Sequence, residues 1–303
     1  MIEKKFLSIL SCPRCKNSLQ EKNNRLACLI CRNTYTVAHG IPKLFLQKQS
    51  IDVQLSKDKW DKQYKEILLI ETHKKNRMVL SQKSFLSPYK KYMKKGIFLD
   101  LGCGIAWQSF FLAQEGIPTI GIDISIEALL KSKNLLRRIA HGYNFIQADF
   151  LNVPLKDNSV SFIYWGLSIE YVFDTQRAIN EAYRVLKKGG RVVVPFPVVS
   201  LSTLVYHQLR GGDIPRIPVL SQLMEFVHVT LLRGKYMHYG YGQTFTIGAM
   251  KAFFKRAGFH VEKVDYFDVY YPLALIPVPL RPLLQKLIHL RPFWPFAYLE
   301  ATK

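Results

Sequence analysis

A stretch near the middle of the chain constrains the fold more than any other. Residues 96–125 read GIFLDLGCGIAWQSFFLAQEGIPTIGIDIS. An apolar run that ends at Asp100 is followed by two glycines, by apolar side chains at helical spacing, and by a second apolar run that ends at Asp123. The pattern predicts one strand–helix–strand unit with an acid at the tip of each strand.

The glycines Gly102 and Gly104 lie in the predicted turn between the first strand and the helix. Glycines there let backbone N–H groups approach a ligand, and an acid that closes the next strand can accept both hydroxyls of a ribose. A dinucleotide-binding turn would have a third glycine where this chain has Trp107. Asp100 adds a negative charge beside the turn, which disfavours phosphate and suits a cation. These residues indicate a positively charged nucleoside such as S-adenosylmethionine, which has an ammonium and a sulfonium group.

Five motifs between residues 96 and 303 resemble those of the class I S-adenosylmethionine-dependent methyltransferases, in order and in spacing. They are Asp100–Gly104 (DLGCG), Gly121–Ser125 (GIDIS), Gln147–Phe150 (QADF), Asp157–Gly166 (DNSVSFIYWG) and Ala178–Phe196. The resemblance implies that the cofactor lies against Asp100, Gly102, Gly104, Asp123 and Ile124 (ribose), Asp149 and Phe150 (adenine), and Trp165 (methyl). Ala106 stands where many members have a third glycine, so the shape of the turn departs from the family pattern.

Strands and helices continue to alternate after this unit, which predicts a parallel α/β sheet with helices on both faces. The resemblance implies a Rossmann-like sheet of seven strands, of which the last, residues 296–302, is antiparallel. We expect a glycine turn at Leu186–Gly190 to close a helix and the fifth strand to run from Arg191 to Phe196. The acids at the ends of the first three strands then meet at the carboxyl edge of the sheet, where α/β proteins bind ligands.

Four of the five cysteines form two C-x-x-C pairs near the N-terminus. Cys12 and Cys15 are separated from Cys28 and Cys31 by 12 residues. Such pairs build a tetrahedral Zn²⁺ site, which would stabilise a segment too small for a substantial core. Two redox-active dithiols are the alternative, although no strand–helix pattern surrounds either pair. We predict a structural zinc ribbon in residues 1–46, similar to ribbons found as partners of methyltransferases or fused to them.

Basic residues are concentrated in the first third of the chain. Residues 1–95 contain 21 Lys and Arg against 7 Asp and Glu, within a formal net charge of +21 for the whole chain. Residues 47–95 are predicted to form a basic helical linker whose Trp60, Tyr64 and following apolar residues pack on the methyltransferase domain as a lid or brace. The charge would attract RNA or an anionic membrane surface, and lysines on solvated helix faces are the simpler explanation.

An insertion at residues 198–245 separates the fifth strand from the next helix, and the resemblance implies that it covers the acceptor. Its aromatic and apolar content suits a flat or greasy acceptor. The sulfonium methyl is already activated, so transfer mainly requires an aligned nucleophile about 3 Å away, with a base only for a protonated acceptor. The sequence does not assign that base; His238, in the insertion, and Glu170, after the fourth strand, are the candidates.

The sequence does not decide which class of molecule accepts the methyl group. The aromatic cover, and the absence of an Asn-Pro-Pro-Tyr or Asp-Pro-Pro-Tyr motif after the fourth strand, favour a small-molecule or lipid-like acceptor. A zinc ribbon before such a domain also resembles the bacterial ribosomal RNA guanine methyltransferases, so an RNA base is the alternative. The acids at three strand ends disfavour a binding module without activity. We find neither a signal peptide nor a 20-residue apolar run, and therefore expect a cytoplasmic protein, with peripheral membrane contact as a further alternative.

Overall fold

The computed structural model of the protein describes residues 2–66, 83–94, 96–106, 109–136, 142–204, 242–267 and 289–303, with residues 219, 222–223, 226 and 286–287 between them. In that part of the chain there are two β-sheets, one of four strands near the N-terminus and one of seven strands. The larger sheet positions the candidate site, and the smaller sheet is joined to its edge.

The small sheet is an antiparallel arrangement that follows a single helical turn, α1 (Lys4–Leu7). Its strands are β1 (Leu19–Lys22), β2 (Arg25–Cys28), β3 (Thr34–Ala38) and β4 (Ile41–Pro42), paired in that order. Cys12 and Cys15 lie before β1, Cys28 is the last residue of β2, and Cys31 lies in the turn after it. This is the N-terminal cysteine unit that the C-x-x-C spacing predicts.

The large sheet is the predicted Rossmann-like sheet of seven strands. Its strands are β5 (Phe98–Leu101), β6 (Thr119–Asp123), β7 (Tyr143–Gln147), β8 (Val160–Tyr164), β9 (Leu186–Pro197), β10 (His260–Tyr266) and β11 (Phe296–Thr302). Their spatial order is β10-β11-β9-β8-β5-β6-β7. Strand β11 is antiparallel to both of its neighbours, and the other neighbouring pairs are parallel. The prediction of an antiparallel last strand is confirmed.

Helices connect these strands and begin and end at recognisable signals. They are α2 (Ile51–Glu66), α3 (Lys90–Met93), α4 (Phe110–Gln114), α5 (Ile126–Leu136), α6 (Thr175–Val185) and α7 (Ile247–Ala257). The Asp174 side chain caps α6 by accepting the Arg177 N–H at 3.0 Å. Helix α7 is capped by Thr246 and ends at Gly258, which has φ +100° in the left-handed region.

Both faces of the sheet are covered by apolar side chains. Along β9, Val192 and Val194 belong to one core, and Val193 belongs to the other. Residues of α6 and α7 complete the first core, and residues of α4 and α5 complete the second. Because successive strand residues point to opposite faces, the consecutive buried apolar residues Val192, Val193 and Val194 are typical of a strand covered on both sides.

The expected glycine turn between α6 and β9 takes a different form. Helix α6 ends at Val185, and the strand already begins at Leu186, which pairs with Val160. The four residues that follow form a bulge in the strand before pairing resumes. Gly189 has φ +72°, and its N–H donates to the Lys303 carbonyl at 2.8 Å. The glycines therefore serve a strand bulge joined to the end of β11, a long-range pairing that local sequence patterns do not carry.

The small sheet is joined to the edge strand β7 of the large one. The Leu44 N–H donates to the Gln147 carbonyl at 2.8 Å, directly after β4. The Ser11 N–H donates to the Pro154 carbonyl, and the Lys156 N–H donates to the Ile9 carbonyl, both at 2.9 Å. One hydrophobic core runs through both sheets and includes buried residues of the cysteine unit. The two sheets are thus bonded through backbone and share apolar packing.

Much of the predicted insertion at residues 198–245 lies outside the described residues, and so does His238. Its two ends lie side by side, with a parallel bridge between Val198 and Phe245. The Phe245 N–H donates to the Pro197 carbonyl at 3.0 Å. The insertion therefore leaves and re-enters the sheet at the carboxyl end of β9. Among the helices that the structure describes, none has the length and apolar character needed to cross a membrane.

Candidate functional site

Three acids gather at one edge of the sheet, as the strand pattern predicts. Asp100 lies in β5, Asp123 ends β6, and Asp149 follows β7 by two residues. All three are buried, with 1%, 7% and 7% of their surface exposed. Buried carboxylates without cationic partners are costly, and such a group of acids indicates a site for a positively charged ligand.

The glycine loop after β5 comes close to neighbouring side chains. Gly102 has φ +72° and Gly104 has φ +51°, both in the left-handed region. A β-carbon on Gly102 would lie 2.1 Å from the Ser168 hydroxyl oxygen, and one on Gly104 would lie 2.5 Å from the Tyr64 hydroxyl oxygen. Ala106 also has a positive φ, +55°. The loop therefore keeps a left-handed turn at the alanine where many family members have a third glycine.

The Asp123 carboxylate is bonded on both oxygens. Oδ2 accepts the Gly104 N–H at 2.8 Å, and Oδ1 accepts the Ser125 N–H at 2.9 Å. Burial raises the pKa of Asp123 to about 6, and these backbone hydrogen bonds oppose that rise. The neighbouring Ile124 is half-buried, and its carbonyl accepts the Gln147 side-chain N–H at 2.9 Å. The end of β6 is thus fixed against both the glycine loop and β7.

Asp100 is held by two hydroxyl groups and keeps one oxygen without a partner. Its Oδ2 accepts hydrogen bonds from the Ser109 hydroxyl and, at 3.4 Å, from the Tyr143 hydroxyl. Its Oδ1 has no hydrogen-bond partner in the described part of the chain. Burial raises the pKa of Asp100 to about 7, and the charge of Asp123 adds to the rise. The unpartnered oxygen is available to a ligand that brings a donor or a positive charge.

The segment after β7 forms a short 3₁₀ turn, Phe150–Asn152. Asp149 Oδ1 accepts the Asn152 side-chain N–H at 3.2 Å. Arg177 of α6 donates to the Asn152 side-chain oxygen at 2.7 Å and to the Leu151 carbonyl at 3.1 Å. The Phe150 ring meets the Trp165 ring edge-on, with 5.3 Å between centroids. These contacts set an acid and an aromatic ring beside each other at the end of β7.

On the other side of the glycine loop, two buried polar groups follow β8. Trp165 is fully buried, and its indole N–H has no partner in the described part of the chain. Glu170 lies in the 3₁₀ turn Ile169–Tyr171, and its Oε2 is likewise unpartnered there. Burial raises the pKa of Glu170 to about 8. A donor and a proton-holding carboxyl therefore lie at the strand end expected to face the reacting methyl.

Comparison with known proteins identifies a methyltransferase domain. Residues 99–194 match a family model described as a methyltransferase domain. The fold is that of solved S-adenosylmethionine-dependent methyltransferases. Malonyl-[acyl-carrier protein] O-methyltransferase of Hamiltonella defensa is 30% identical over 137 residues, which are 45% of this chain and 51% of that protein. The chloroplastic tocopherol O-methyltransferase of Arabidopsis thaliana is 32% identical over 108 residues, 35% of this chain and 30% of that protein.

A solved structure shows the same fold over most of the methyltransferase chain. It is magnesium protoporphyrin IX methyltransferase from Synechocystis PCC 6803 with bound SAH, at a TM-score of 0.53 and 13% identity. The alignment covers 83% of this chain and 99% of that one. The chain spans about half, or less, of the length of the curated relatives named above.

The fit of the site to a cofactor rests on its glycine loop and on its unpartnered atoms. Gly102 and Gly104 allow the Ser168 and Tyr64 side chains to lie against the loop backbone. The buried Oδ1 of Asp100 has no hydrogen-bond partner in the described part of the chain. Three buried acids suit a ligand with an ammonium and a sulfonium group, because the positive charges offset the cost of burying the carboxylates. The residues present fit S-adenosylmethionine.

The four-cysteine centre is built from two equivalent turns. The Lys16 N–H donates to the Cys12 carbonyl at 2.8 Å, and the Arg32 N–H donates to the Cys28 carbonyl at 3.0 Å. Four cysteines, Cys12, Cys15, Cys28 and Cys31, could together bind a metal ion, because their sulfur atoms lie within 4.8 Å of one another. The Cys12–Cys31 and Cys15–Cys28 sulfurs are 3.5 and 3.4 Å apart. A zinc–sulfur bond of about 2.3 Å gives tetrahedral edges of about 3.8 Å, so these sulfurs fit Zn²⁺.

Several residues that shape the site have no sequence signal of their own. Ser109, Tyr143 and Arg177 are single polar residues that reach the strand ends only through the fold. Tyr64 was expected to brace the methyltransferase domain through packing, and the structure places its hydroxyl on the glycine loop. Cys103 is buried within that loop, between its two glycines, and burial raises the pKa of its thiol well above the ordinary value, which disfavours a nucleophile.

Proposed function

We propose that this protein transfers the methyl group of S-adenosylmethionine to a small or lipid-like acceptor at the carboxyl edge of the seven-stranded sheet. The observation that carries the proposal is the group of buried acids, Asp100, Asp123 and Asp149, around a glycine loop with an unpartnered carboxylate oxygen. When bound, the cofactor supplies an activated methyl on a sulfonium.

The residues of the site have separable roles in this proposal. Asp123 accepts the ribose hydroxyls, and its contacts to the Gly104 and Ser125 N–H groups hold it in place. The acid and ring of Asp149 and Phe150 hold the adenine, with the turn fixed by Arg177. Asp100 neutralises the cationic end. Fixing the cofactor in this way lowers the entropic part of the barrier, because the methyl meets the acceptor already aligned.

In this proposal the acceptor binds beside the residues that follow β8 and β9. Trp165 and Glu170 provide a buried donor and a carboxyl that holds a proton near neutral pH. Glu170 is the candidate general base when the acceptor carries a proton; it would act in its ionised form, whose fraction grows as the pH approaches its pKa of about 8. Apolar side chains follow the same strand ends, with Val199 and Leu201 exposed by 44% and 51%. Exposed apolar surface next to these strand ends suits an apolar acceptor.

The relatives act on acceptors of this kind, according to their names: a malonyl group on a carrier protein and a tocopherol. The alternative acceptor, an RNA base, is supported by the basic first third of the chain. Phosphate contacts would make RNA methylation depend steeply on salt, whereas transfer to an apolar acceptor would not.

The test is transfer of labelled methyl from S-adenosylmethionine into an extract of cells that lack the protein, separated afterwards into RNA, lipid, small-molecule and protein fractions. The proposal predicts label in the lipid or small-molecule fraction, with little change between 50 and 200 mM salt. Asp123→Ala is the matched inactive control. Label in RNA that disappears at the higher salt would replace this proposal with the RNA alternative.

We further propose that the cysteine unit holds one structural Zn²⁺ through Cys12, Cys15, Cys28 and Cys31. Four thiolates would fill the tetrahedral shell and leave no position for a substrate. The turn before β1 lies next to Ser11 and its backbone bond to Pro154. The ion would therefore brace the segment between β7 and β8.

A further inference from the structure

Helix α2 lies across the carboxyl edge of the large sheet, outside the methyltransferase motifs. Its Asp61 Oδ1 accepts the Ser125 hydroxyl at 2.6 Å and the Glu127 N–H at 3.4 Å. Ser125 is the second residue after Asp123, and Glu127 lies in the first turn of α5. Asp61 therefore binds α2 to the end of β6 that carries the candidate ribose-binding acid.

One turn further along α2, Tyr64 lies directly on the glycine loop. A β-carbon on Gly104 would be 2.5 Å from the Tyr64 hydroxyl oxygen and 3.4 Å from the ring carbon that carries it. The phenol thus lies against the backbone of the loop. The Lys131 ammonium of α5 donates to the Tyr64 carbonyl and, at 3.3 Å, to the Lys65 carbonyl. These hydrogen bonds hold the last turn of α2 against α5, next to the glycine loop.

The same helix reaches the acceptor side through an aromatic pair. The Trp60 ring meets the Tyr171 ring edge-on, with 5.0 Å between centroids. Tyr171 is the neighbour of Glu170 in the turn after β8. The Lys59 ammonium lies 5.0 Å and 5.1 Å from the centroids of these two rings. Helix α2 therefore spans the opening between the ends of β6 and β8.

The inward contacts of α2 are concentrated at its C-terminal half. Near its start, Ile51 and Leu55 expose 76% and 63% of their surface, while Val53 is buried. The helix is therefore held mainly by the polar and aromatic contacts of Trp60, Asp61 and Tyr64. Those three contacts all fall on residues that border the candidate cofactor site.

We propose that Tyr64 is a cofactor-contacting residue that closes the site over the glycine loop, and that Asp61 is its positioning residue. The inference rests on the proposed function, because it assumes that S-adenosylmethionine occupies the Gly102–Gly104 loop. A phenol is neutral and both donates and accepts hydrogen bonds. The Tyr64 hydroxyl can therefore hydrogen-bond a cofactor that lies on the loop, and it adds no negative charge to a site that already contains Asp100 and Asp123.

The experiment is calorimetric titration of the full chain with S-adenosylhomocysteine. Tyr64→Phe removes only the hydroxyl and should weaken binding about three- to tenfold, the effect of one hydrogen bond. Tyr64→Ala should weaken it more than tenfold. The matched control is Lys62→Gln, because Lys62 is exposed on the same helix, and it should bind like the wild type. Unchanged affinity in both Tyr64 variants would overturn the inference. Tighter binding would also overturn it, since Tyr64 would then compete with the cofactor.

The positioning role of Asp61 has a separate readout. Asp61→Ala loses the acceptor for Ser125 and Glu127, whereas Asp61→Asn keeps an oxygen at that position. Binding should weaken in the alanine variant and recover in the asparagine variant. Hydrogen exchange in residues 51–66 should slow when S-adenosylhomocysteine is added to the wild type and not to Tyr64→Ala. Equal exchange in both proteins would contradict closure by Tyr64.

Failure of the inference can be told from failure of the proposed function. If the wild type binds S-adenosylhomocysteine and Asp123→Ala binds it much more weakly, the proposed cofactor site stands, and the Tyr64 variants alone decide the inference. If the wild type shows no binding, both are overturned. Thermal unfolding of each variant beside Lys62→Gln shows whether a weaker affinity reflects loss of folded protein.

Discussion

The Asp123 carboxylate accepts the backbone N–H of Gly104 at 2.8 Å. This hydrogen bond joins the end of β6 to the turn after β5, so the two parts of the candidate site are aligned by the protein itself. The other oxygen accepts the Ser125 N–H. Each carboxylate oxygen has two lone pairs, so both keep acceptor capacity for ribose hydroxyls. The acid is therefore ordered before a ligand reaches it.

Cofactor affinity is expected to depend on pH. Burial raises the pKa of Asp100 to about 7 and that of Asp123 to about 6. A cationic ligand prefers the ionised carboxylates, so protonation below these values opposes binding. Affinity for S-adenosylmethionine should fall as pH is lowered from 8 to 5.5, measured by calorimetry. In Asp100→Asn the fall should be smaller. An affinity that stays constant over this range would contradict a site in which an ionised Asp100 faces the cationic end of the cofactor and an ionised Asp123 accepts the ribose hydroxyls.

Glu170 is expected to reduce stability as pH rises. Its pKa is about 8 in the folded protein and near 4.5 when unfolded, so the folded state holds a proton that the unfolded state releases. Stability therefore falls through the window between these two values. Glu170→Gln has no proton to lose, and its melting temperature should exceed that of the wild type by an amount that grows from pH 5 to pH 9. A gap independent of pH would show that the Glu170 carboxyl is not buried in this way.

Gly102 is expected to tolerate no side chain. In Gly102→Ala the β-carbon would meet the Ser168 hydroxyl at 2.1 Å, in addition to the strain of φ +72°. Gly116→Ala is the matched control, because Gly116 has φ +75° and no atom within 4 Å of a β-carbon. Both should lose about 1–2 kcal/mol from backbone strain. Only Gly102→Ala should also lose cofactor affinity, and Ser168→Gly should restore part of it. Equal affinity in the two alanine variants would argue against contact between the loop and the cofactor.

Metal removal is expected to destabilise the large sheet as well as the cysteine unit. The apolar core runs through both, and Leu44 and Ser11 bond to the segment from β7 to Pro154. The purified protein should contain one zinc ion per chain, and a chelator should lower its melting temperature in a single transition. Cys12→Ser should lose the metal, whereas Cys103→Ala, outside the cluster, should keep it. Full zinc content in Cys12→Ser would contradict the four-cysteine site.

The strand–helix–strand core could be predicted from sequence because each strand has its own local signal. The apolar run and terminal acid of β6 are contiguous, and the structure places that strand at Thr119–Asp123. The family resemblance, and not a local signal, gave the position of β11, which the structure places at the expected residues Phe296–Thr302. The four cysteines also had a local signal, since their spacing alone brought them into one group.

The rest depends on contacts between distant parts of the chain. The bulge at Gly189 forms because its N–H meets Lys303, more than a hundred residues away. Trp60 and Tyr64 have the spacing of an ordinary amphipathic helix, which predicts that they are buried but not which residues they contact. Asp61 has no sequence signal of its own. That the cysteine unit shares its core with the large sheet follows from backbone bonds at the edge of β7, for which the sequence has no local signal.

The proposed cofactor site is tested most directly by titration of the full chain with S-adenosylmethionine, comparing the wild type with Asp123→Ala. We expect one binding site in the wild type and a loss of at least about 2 kcal/mol in the variant, roughly thirtyfold in affinity, because charged hydrogen bonds to the ribose are lost. Asp52→Ala, which removes an exposed acid of α2, should bind like the wild type. Binding of equal strength in Asp123→Ala, or none in the wild type, would show that S-adenosylmethionine does not bind against Asp123.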